Sequence, residues 1–250
     1  MQRYFISNKN ISEECVRISG DDFHHLANVL RAKPGETIYC VEENGRAALV
    51  EITEITNEAI IGNIIEWIDE QKEMPVRVSV ASGLPKGDKL DYIIQKGTEM
   101  GAFEFIPFIA ARSVVKWDEK KASKKTERLQ RIAKEAAEQS HRGRIPEVMP
   151  PVRLEGLIKK ADRFTHKLIA YEEEAKQGEK SVLSSVLGDI QAGESILFIF
   201  GPEGGFSEKE IDLLVENGFI ACGLGPRILR TETAPLYALS AVSYHTELLR

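Results

Sequence analysis

The order of apolar and polar positions divides the chain into two regimes. Over the first 68 residues, short stretches rich in β-branched and aromatic residues read as strands: Thr37 to Val41, Ala47 to Ile55 and Ala59 to Ile68. Asn44-Gly45 predicts a hairpin turn between the first two, because both positions tolerate positive φ. One helix interrupts the pattern. Asp21 or Asp22 can cap it, Phe23, Leu26, Val29 and Leu30 form its apolar face, and Pro34-Gly35 stops it. Asp69 to Pro75 is polar, charged and closed by proline, which makes it the candidate linker between domains at 1–70 and 75–250.

Beyond Pro75 strands alternate with helices, the pattern of a mostly parallel sheet covered on both faces and hence of an α/β fold. The strand candidates are Val76 to Ala81, Phe105 to Ile109, Lys167 to Tyr171, Ser195 to Phe200 and Phe219 to Leu224. Lys89 to Met100 carries Leu90, Ile93, Ile94 and Met100 at helical spacing, with Gly101 to end it. Thr126 to Ser140 aligns Leu129, Ile132, Ala133, Ala136 and Ala137 on one face. Ser207 and Glu210 form a capping box that opens a helix closed by Gly218. Ala234 to Leu249 is nearly apolar and predicts a buried helix.

Composition narrows the class. With 250 residues, 42% of them hydrophobic, and 39 Asp and Glu against 33 Lys and Arg, the chain has enough apolar side chains for a core, which excludes disordered and collagen-like proteins. Its strongest apolar run, Ile196 to Phe200, falls far short of the roughly 20 residues that cross a bilayer. The polar N-terminus predicts no secretion, and Cys15, Cys40 and Cys222 are too scattered for a disulfide framework or zinc pairs; a reducing cytoplasm is the expected compartment. A net charge of -6 argues against a protein that coats DNA. Charge is nonetheless segregated: residues 112–144 hold eleven Lys and Arg against five Asp and Glu, a local balance of +6. That stretch is either an anion-binding face or a solvated lysine-rich helix.

Two glycine-rich loops follow the last two strand candidates. Gly201-Pro202-Glu203-Gly204-Gly205-Phe206 leads into the capped helix, and Gly223 to Ala234 leads into the last one. Ligands of open α/β sheets settle beyond the carboxyl ends of strands, where both loops fall. The phosphate-cradling Walker spacing and the dinucleotide GxGxxG are absent, as are HExxH, CxxC and GxSxG, and the five histidines show no metal spacing. No metal is expected.

The chain resembles the RsmE-type bacterial 16S rRNA (uridine-N3) methyltransferases of the SPOUT superfamily. The resemblance is carried by Gly201 to Phe206, by Leu224-Gly225-Pro226-Arg227-Ile228-Leu229-Arg230-Thr231-Glu232-Thr233-Ala234, by Ile94-Gln95-Lys96 with Glu99-Met100-Gly101, and by Arg112 to Val115. It extends to Glu135 to Ser140 and, near the N-terminus, to His24-His25-Leu26 with Val29-Leu30-Arg31. It implies a small PUA-like β-barrel that binds RNA, followed by an α/β domain whose C-terminal part is threaded into a trefoil knot. It also implies a homodimer, bound S-adenosylmethionine and a 16S rRNA substrate, within the small ribosomal subunit.

On that resemblance Gly201, Gly205, Leu224, Gly225, Ile228 and Leu229 hold the cofactor, and their chemistry agrees: glycines open the backbone and aliphatics floor an adenine. The same glycines could simply turn the chain, and the aliphatics could belong to the core. Uracil N3 bears a proton, so an arginine favouring the anion is needed. Arg230 stands first, Arg112 second, and Glu232 is the carboxylate able to accept the proton; a structural Arg230–Glu232 pair is the plain alternative. Glu203 is either a helix cap or a cofactor contact, and His24 and His25 are packing residues. RNA contacts are expected from Arg3, Arg31, Lys120, Lys121, Lys124, Lys125, Arg142 and Arg144. The alternatives are a ribose 2′-O-methyltransferase, a noncatalytic rRNA-binding assembly factor and a nucleotide-binding regulator.

Overall fold

A computed structural model describes residues 2–69, 72–115, 117–171 and 182–249. Its N-terminal strands form one five-stranded sheet in the order β1-β3-β4-β5-β2. They are β1 (Arg3–Phe5), β2 (Cys15–Ser19), β3 (Thr37–Val41), β4 (Ala47–Ile55) and β5 (Ala59–Ile68). The period of two is visible in β2, where Val16 and Ile18 are buried between exposed neighbours. These two residues join Tyr4, Ile38, Cys40, Val50, Ile52 and Ile60 in a core that Leu26 closes from the helical segment. That segment starts as α1 (Gly20–His24) and ends in a wide turn with Leu30 N–H on the His25 carbonyl. Burial pushes the Cys40 thiol up to about 12, and it is inert as a nucleophile at neutral pH.

Contacts divide the chain into two units, Met1–Glu73 with Ala137–Ile145, and Met74–Ala136 with Pro146–Arg250. A single cut near residue 70 therefore needs correction, because residues 137–145 belong with the small unit. Two arginines hold them there. Arg3 Nη1 donates to the carbonyls of His141 (2.8 Å) and Arg142 (3.0 Å), and Arg142 Nε donates to Glu73 at 3.2 Å. Of the expected linker, Glu70 and Gln71 lie outside the described residues.

The second unit carries a parallel sheet in the order β12-β10-β11-β6-β7-β8, with β9 also paired to β7. Its strands are β6 (Arg77–Gly83), β7 (Glu104–Ile109), β8 (Glu147–Val148), β9 (Val152–Arg153), β10 (His166–Ala170), β11 (Ser195–Phe200) and β12 (Ile220–Cys222). Among the described residues six helices accompany them: α2 (Lys89–Glu99), α3 (Glu119–Gln139), α4 (Leu154–Lys160), α5 (Val182–Asp189), α6 (Glu208–Glu216) and α7 (Ala234–Ser243). β11 is buried along its whole length, as a strand covered on both faces must be. The chain leaves β11, forms α6 and returns as β12 on the far side of β10, so β10 lies between the two strands that follow it. A buried carboxylate in this sheet, Glu104, is satisfied by Arg163 at 2.7 Å on both oxygens and by Ser79 Oγ at 2.8 Å.

The last helix departs from expectation. α7 stops at Ser243 and widens into one further turn, Tyr244–Leu248. Ala238, Leu239 and Val242 are fully buried, whereas Tyr237, Tyr244 and Leu248 point outward. The stretch is apolar because it has two apolar faces, of which the unit's own core takes one.

Candidate active site

Since β6, β10, β11 and β12 are parallel neighbours, their carboxyl ends open on the same edge of the sheet. Four exits meet there: Leu84 after β6, Tyr171 after β10, the loop 201–206 after β11, and the loop 223–233 after β12. Thr231 Oγ1 joins the two glycine-rich loops by donating to the Gly201 carbonyl at 3.5 Å. The ends of Ala170 and Tyr171 form a cleft of about 80 Å³ with Leu224, Gly225, Ile228 and Leu229.

Gly225 sits at φ 88°, a left-handed conformation that glycine adopts without penalty. Ile228 is 71% exposed although it is aliphatic, and it stands at the cleft wall. An open backbone beside an unburied aliphatic side chain fits S-adenosylmethionine, whose adenine needs an apolar floor and whose polar groups need backbone partners. Four of the six expected cofactor residues line this cleft; Gly201 and Gly205 do not, and Gly201 connects to it through Thr231. Ala170, Tyr171, Arg227 and Ala234 also line it and were not expected. Tyr171, at the end of an expected strand, was the one such residue that position alone could have flagged.

A close approach fixes the first loop. A Cβ added at Gly83 would lie 2.6 Å from Pro202 Cδ and 2.8 Å from Pro202 N. Gly83→Ala is therefore expected to push the 201–206 loop off β6 and to destabilise the protein by about 1–3 kcal/mol. Chemical denaturation of the variant checks this, and unchanged stability contradicts the described packing.

The site's charges centre on a lysine that sequence reasoning passed over. Lys89, at the start of α2, reaches Glu203 Oε1 of the first loop at 2.9 Å and Glu232 Oε2 of the second at 3.3 Å. The second contact is an ion pair without hydrogen-bond alignment, which leaves Glu232 Oε2 buried and without a donor. Burial opposes ionisation of Glu203, but hydrogen bonds from Lys89 and from the Lys86 amide (3.1 Å) outweigh it and hold its carboxyl below the usual range. The hydrogen bond to Glu203 in turn raises the Lys89 ammonium; burial opposes it, and Glu232 adds to the rise. The Glu203 contribution is complete above the ordinary glutamate value of about 4.3 and is lost as pH falls through its lower native value; that of Lys89 is complete below about 10.4 and is lost as pH rises through its higher one. The Lys89–Glu203 pair thus stays charged throughout the neutral range. Glu203 does not cap α6; Ser207 does, in a capping box with Glu210.

The alternative of a structural Arg230–Glu232 pair is not what the structure shows. Arg230 is exposed, its side chain has no partner among the described residues, and its carbonyl accepts from the Thr233 and Ala234 amides at the entry to α7. Arg112 is exposed too, but its Nη1 donates to the Gly204 carbonyl at 3.0 Å and so braces the first loop.

Two expected RNA contacts are overturned. Arg3 and Arg142 are each 3% exposed and are engaged within the small unit, by carbonyls and by Glu73 respectively, so neither can reach a phosphate. Arg144 is half-buried in the same unit, and Arg31 is exposed at φ 55°. The basic stretch therefore does not form one face. Its open part is the start of α3, where Lys120, Lys121 and Lys124 are exposed and Lys125 is half-buried. His25 Nδ1 meets the Tyr4 hydroxyl at 3.0 Å, in keeping with a packing role. Among the described residues no three His, Cys, Asp or Glu side chains gather as a metal site. No helix among them is long and apolar enough to cross a membrane. A cavity of about 1110 Å³ in the small unit contains none of the glycine-loop residues and is lined by Glu42, Glu43, Asp69 and Glu73 against Arg46, Lys72 and Arg144.

Comparison with known proteins places this geometry in a family. An RNA methyltransferase domain model matches residues 72–243, and an RNA methyltransferase PUA domain model matches residues 18–65. The chain is similar to ribosomal RNA small subunit methyltransferase E of Bacillus subtilis, 52% identical over 253 residues, covering 100% of this chain and 99% of that protein. It is also similar in structure to the Neisseria gonorrhoeae ribosomal RNA small subunit methyltransferase E crystallised with S-adenosyl methionine, at a TM-score of 0.83 and 32% identity, covering 98% of this chain and 97% of the other. A putative methyltransferase from Legionella pneumophila in complex with the same cofactor matches with a TM-score of 0.83 and 29% identity, over 96% of each chain. By these matches over both units, the chain belongs to the ribosomal RNA small subunit methyltransferase E family.

Proposed function

We propose that this protein transfers a methyl group from S-adenosylmethionine to the N3 atom of a uridine in 16S rRNA. The observation that carries the reading is the joined pair of glycine-rich loops at adjacent parallel strand ends, with left-handed Gly225 in the cleft and exposed Arg230 a few residues away. Bound there, S-adenosylmethionine supplies an electrophilic methyl. Gly225, Leu224, Ile228 and Leu229 would hold it, with Gly201 and Gly205 shaping the adjacent loop. Ile228 and Leu229 exclude water from the apolar part of that group.

The protein's work is otherwise positional and electrostatic. Arg230, exposed and without a side-chain partner among the described residues, can meet the uracil carbonyl oxygens and favour the N3 anion over the protonated base. Arg112 holds the first loop in place by its bond to Gly204 and acts through that loop. Glu232 is the nearby carboxylate that could take the N3 proton, and Lys89 fixes its position. Because N3 is hidden in a base pair, the target uridine is unpaired or turned out of its helix.

Three further parts of the reading are proposals of the same standing. A trefoil knot is supported by the position of β10 between β11 and β12, and by Thr231 holding the last loop against the loop after β11. A homodimer is supported by the outward apolar side chains of Tyr237, Tyr244 and Leu248 on the last helical segment. A cytoplasmic location follows from an rRNA substrate.

The open basic end of α3 supports RNA binding. Changing Lys120, Lys121, Lys124 and Lys125 together to Ser is expected to weaken RNA binding and to flatten its salt dependence by roughly 0.7 for each lost phosphate contact. Cofactor affinity should stay the same. Equal slopes of log K against log salt in parent and variant would reduce this segment to a solvated helix face. Mass spectrometry of rRNA from cells lacking the protein tests the whole reading: one 3-methyluridine should disappear from the small-subunit RNA.

A further inference from the structure

We infer that a cavity between the start of α2 and the first turns of α3 holds a phosphate of the RNA chain. This rests on the RNA-methylation reading and adds how the substrate backbone is gripped. The cavity measures about 230 Å³, and among the described residues its cations are Lys121, Lys125 and Arg128. Lys121 and Lys125 are one helical turn apart and so share a face of α3. Lys125 Nζ lies 5.0 Å from the centre of the Trp117 ring, which draws its ammonium to the cavity wall.

The carboxylates there are Asp88 and Asp91. Asp91 pairs with Arg128 at 2.6 Å, so these two neutralise each other and both lysines face a single aspartate. Trp117 decides the class of ligand. Its indole Nε1 is buried and has no hydrogen-bond acceptor among the described residues, a state that a bound acceptor would relieve. An acceptor that also carries negative charge satisfies the indole N–H and the two ammonium groups together. A neutral group would leave the lysines uncompensated, and a cation would be repelled. Phosphate is the fitting group.

The position favours a phosphate of RNA over a free one. Pro85 and Gly87 line the cavity, and between them the Lys86 amide binds Glu203 of the first glycine-rich loop. One short turn thus separates the cavity from the candidate active site. A strand that delivers a uridine to that site brings its neighbouring phosphates past the cavity.

The chain has two tryptophans, Trp67 and Trp117, so Trp67→Phe leaves Trp117 as the only indole emitter. The test titrates this variant with a 16S rRNA fragment that the parent protein methylates. Saturable change in Trp117 emission is expected, and Lys121→Ser with Lys125→Ser should abolish it. In the otherwise unchanged protein, Trp117→Phe should weaken RNA binding about fivefold by filter retention with the salt slope unaltered, since it removes a neutral donor. Cofactor affinity by calorimetry should be the same in every variant. RNA that binds and is methylated while Trp117 emission and all affinities stay unchanged overturns the cavity and leaves the methylation reading standing. An emission change produced by millimolar inorganic phosphate but not by RNA overturns the RNA source. A parent protein that neither binds nor methylates RNA overturns both.

Discussion

A Gly225→Val protein folds and no longer gains stability from S-adenosylmethionine. The parent should gain about 2.7 kcal/mol when the cofactor is present at a hundredfold excess over Kd, by mass action. At φ 88° a β-branched residue is strained, by about 1–3 kcal/mol, and the backbone of the cleft must shift to accept it. The added Cβ itself meets ordinary space, 3.5 Å from the Tyr237 hydroxyl, so the damage is conformational and local. Calorimetry on the variant should detect no cofactor binding, with circular dichroism like that of the parent. Ile228→Asp provides an independent arm, because a residue 71% exposed can be made polar without loss of core, yet the apolar wall of the cleft is lost. Full cofactor affinity in both variants would mean that S-adenosylmethionine binds elsewhere.

Arg230→Ala is expected to leave stability within about 0.5 kcal/mol of the parent, because the side chain is exposed and has no partner among the described residues. Cofactor affinity should change little. The single-turnover methylation rate should fall by about 10²–10³-fold, the scale seen when one donor to a developing anion is removed. Arg230→Lys should recover only part, since a point charge cannot reproduce a planar fork of donors. The rate of the parent should also rise with pH until the bound uracil is ionised. The Glu203–Lys89–Glu232 bridge imposes no loss in that window, because both shifted groups remain charged there. A rate unchanged by Arg230→Ala would remove this arginine from the reaction.

How far the chain could be read before its structure depended on the kind of interaction. β11 runs from Ser195 to Phe200 as expected, because a short apolar run ended by glycine has few other uses in an α/β domain. The box of Ser207 and Glu210 is likewise local and formed as read. β1, β8 and β9 are two or three residues long, too short to show any period, and α4 follows directly on β9. The site divides in the same way. The two glycine-rich stretches announced loops, but not that Gly225 would be left-handed and Gly201 would not. Arg142 looked like a phosphate ligand because sequence displays charge without its partner, and Glu73 lies 69 positions away. Lys89 looked like an ordinary first-turn lysine; its two carboxylates come from loops more than a hundred residues downstream, and nothing local marks it.

Primer extension through enzymatically methylated 16S rRNA tests the central claim most directly. A methyl on N3 occupies the edge of uracil that pairs, whereas a methyl on the ribose 2′-oxygen leaves that edge free and protects the adjoining linkage from alkali. The account predicts a reverse-transcriptase stop at one uridine, present only when protein and S-adenosylmethionine are both supplied, with the linkage there still cleaved by alkali. Read-through to full length, together with an alkali-resistant linkage at the modified nucleotide, would place the methyl on ribose and contradict base methylation.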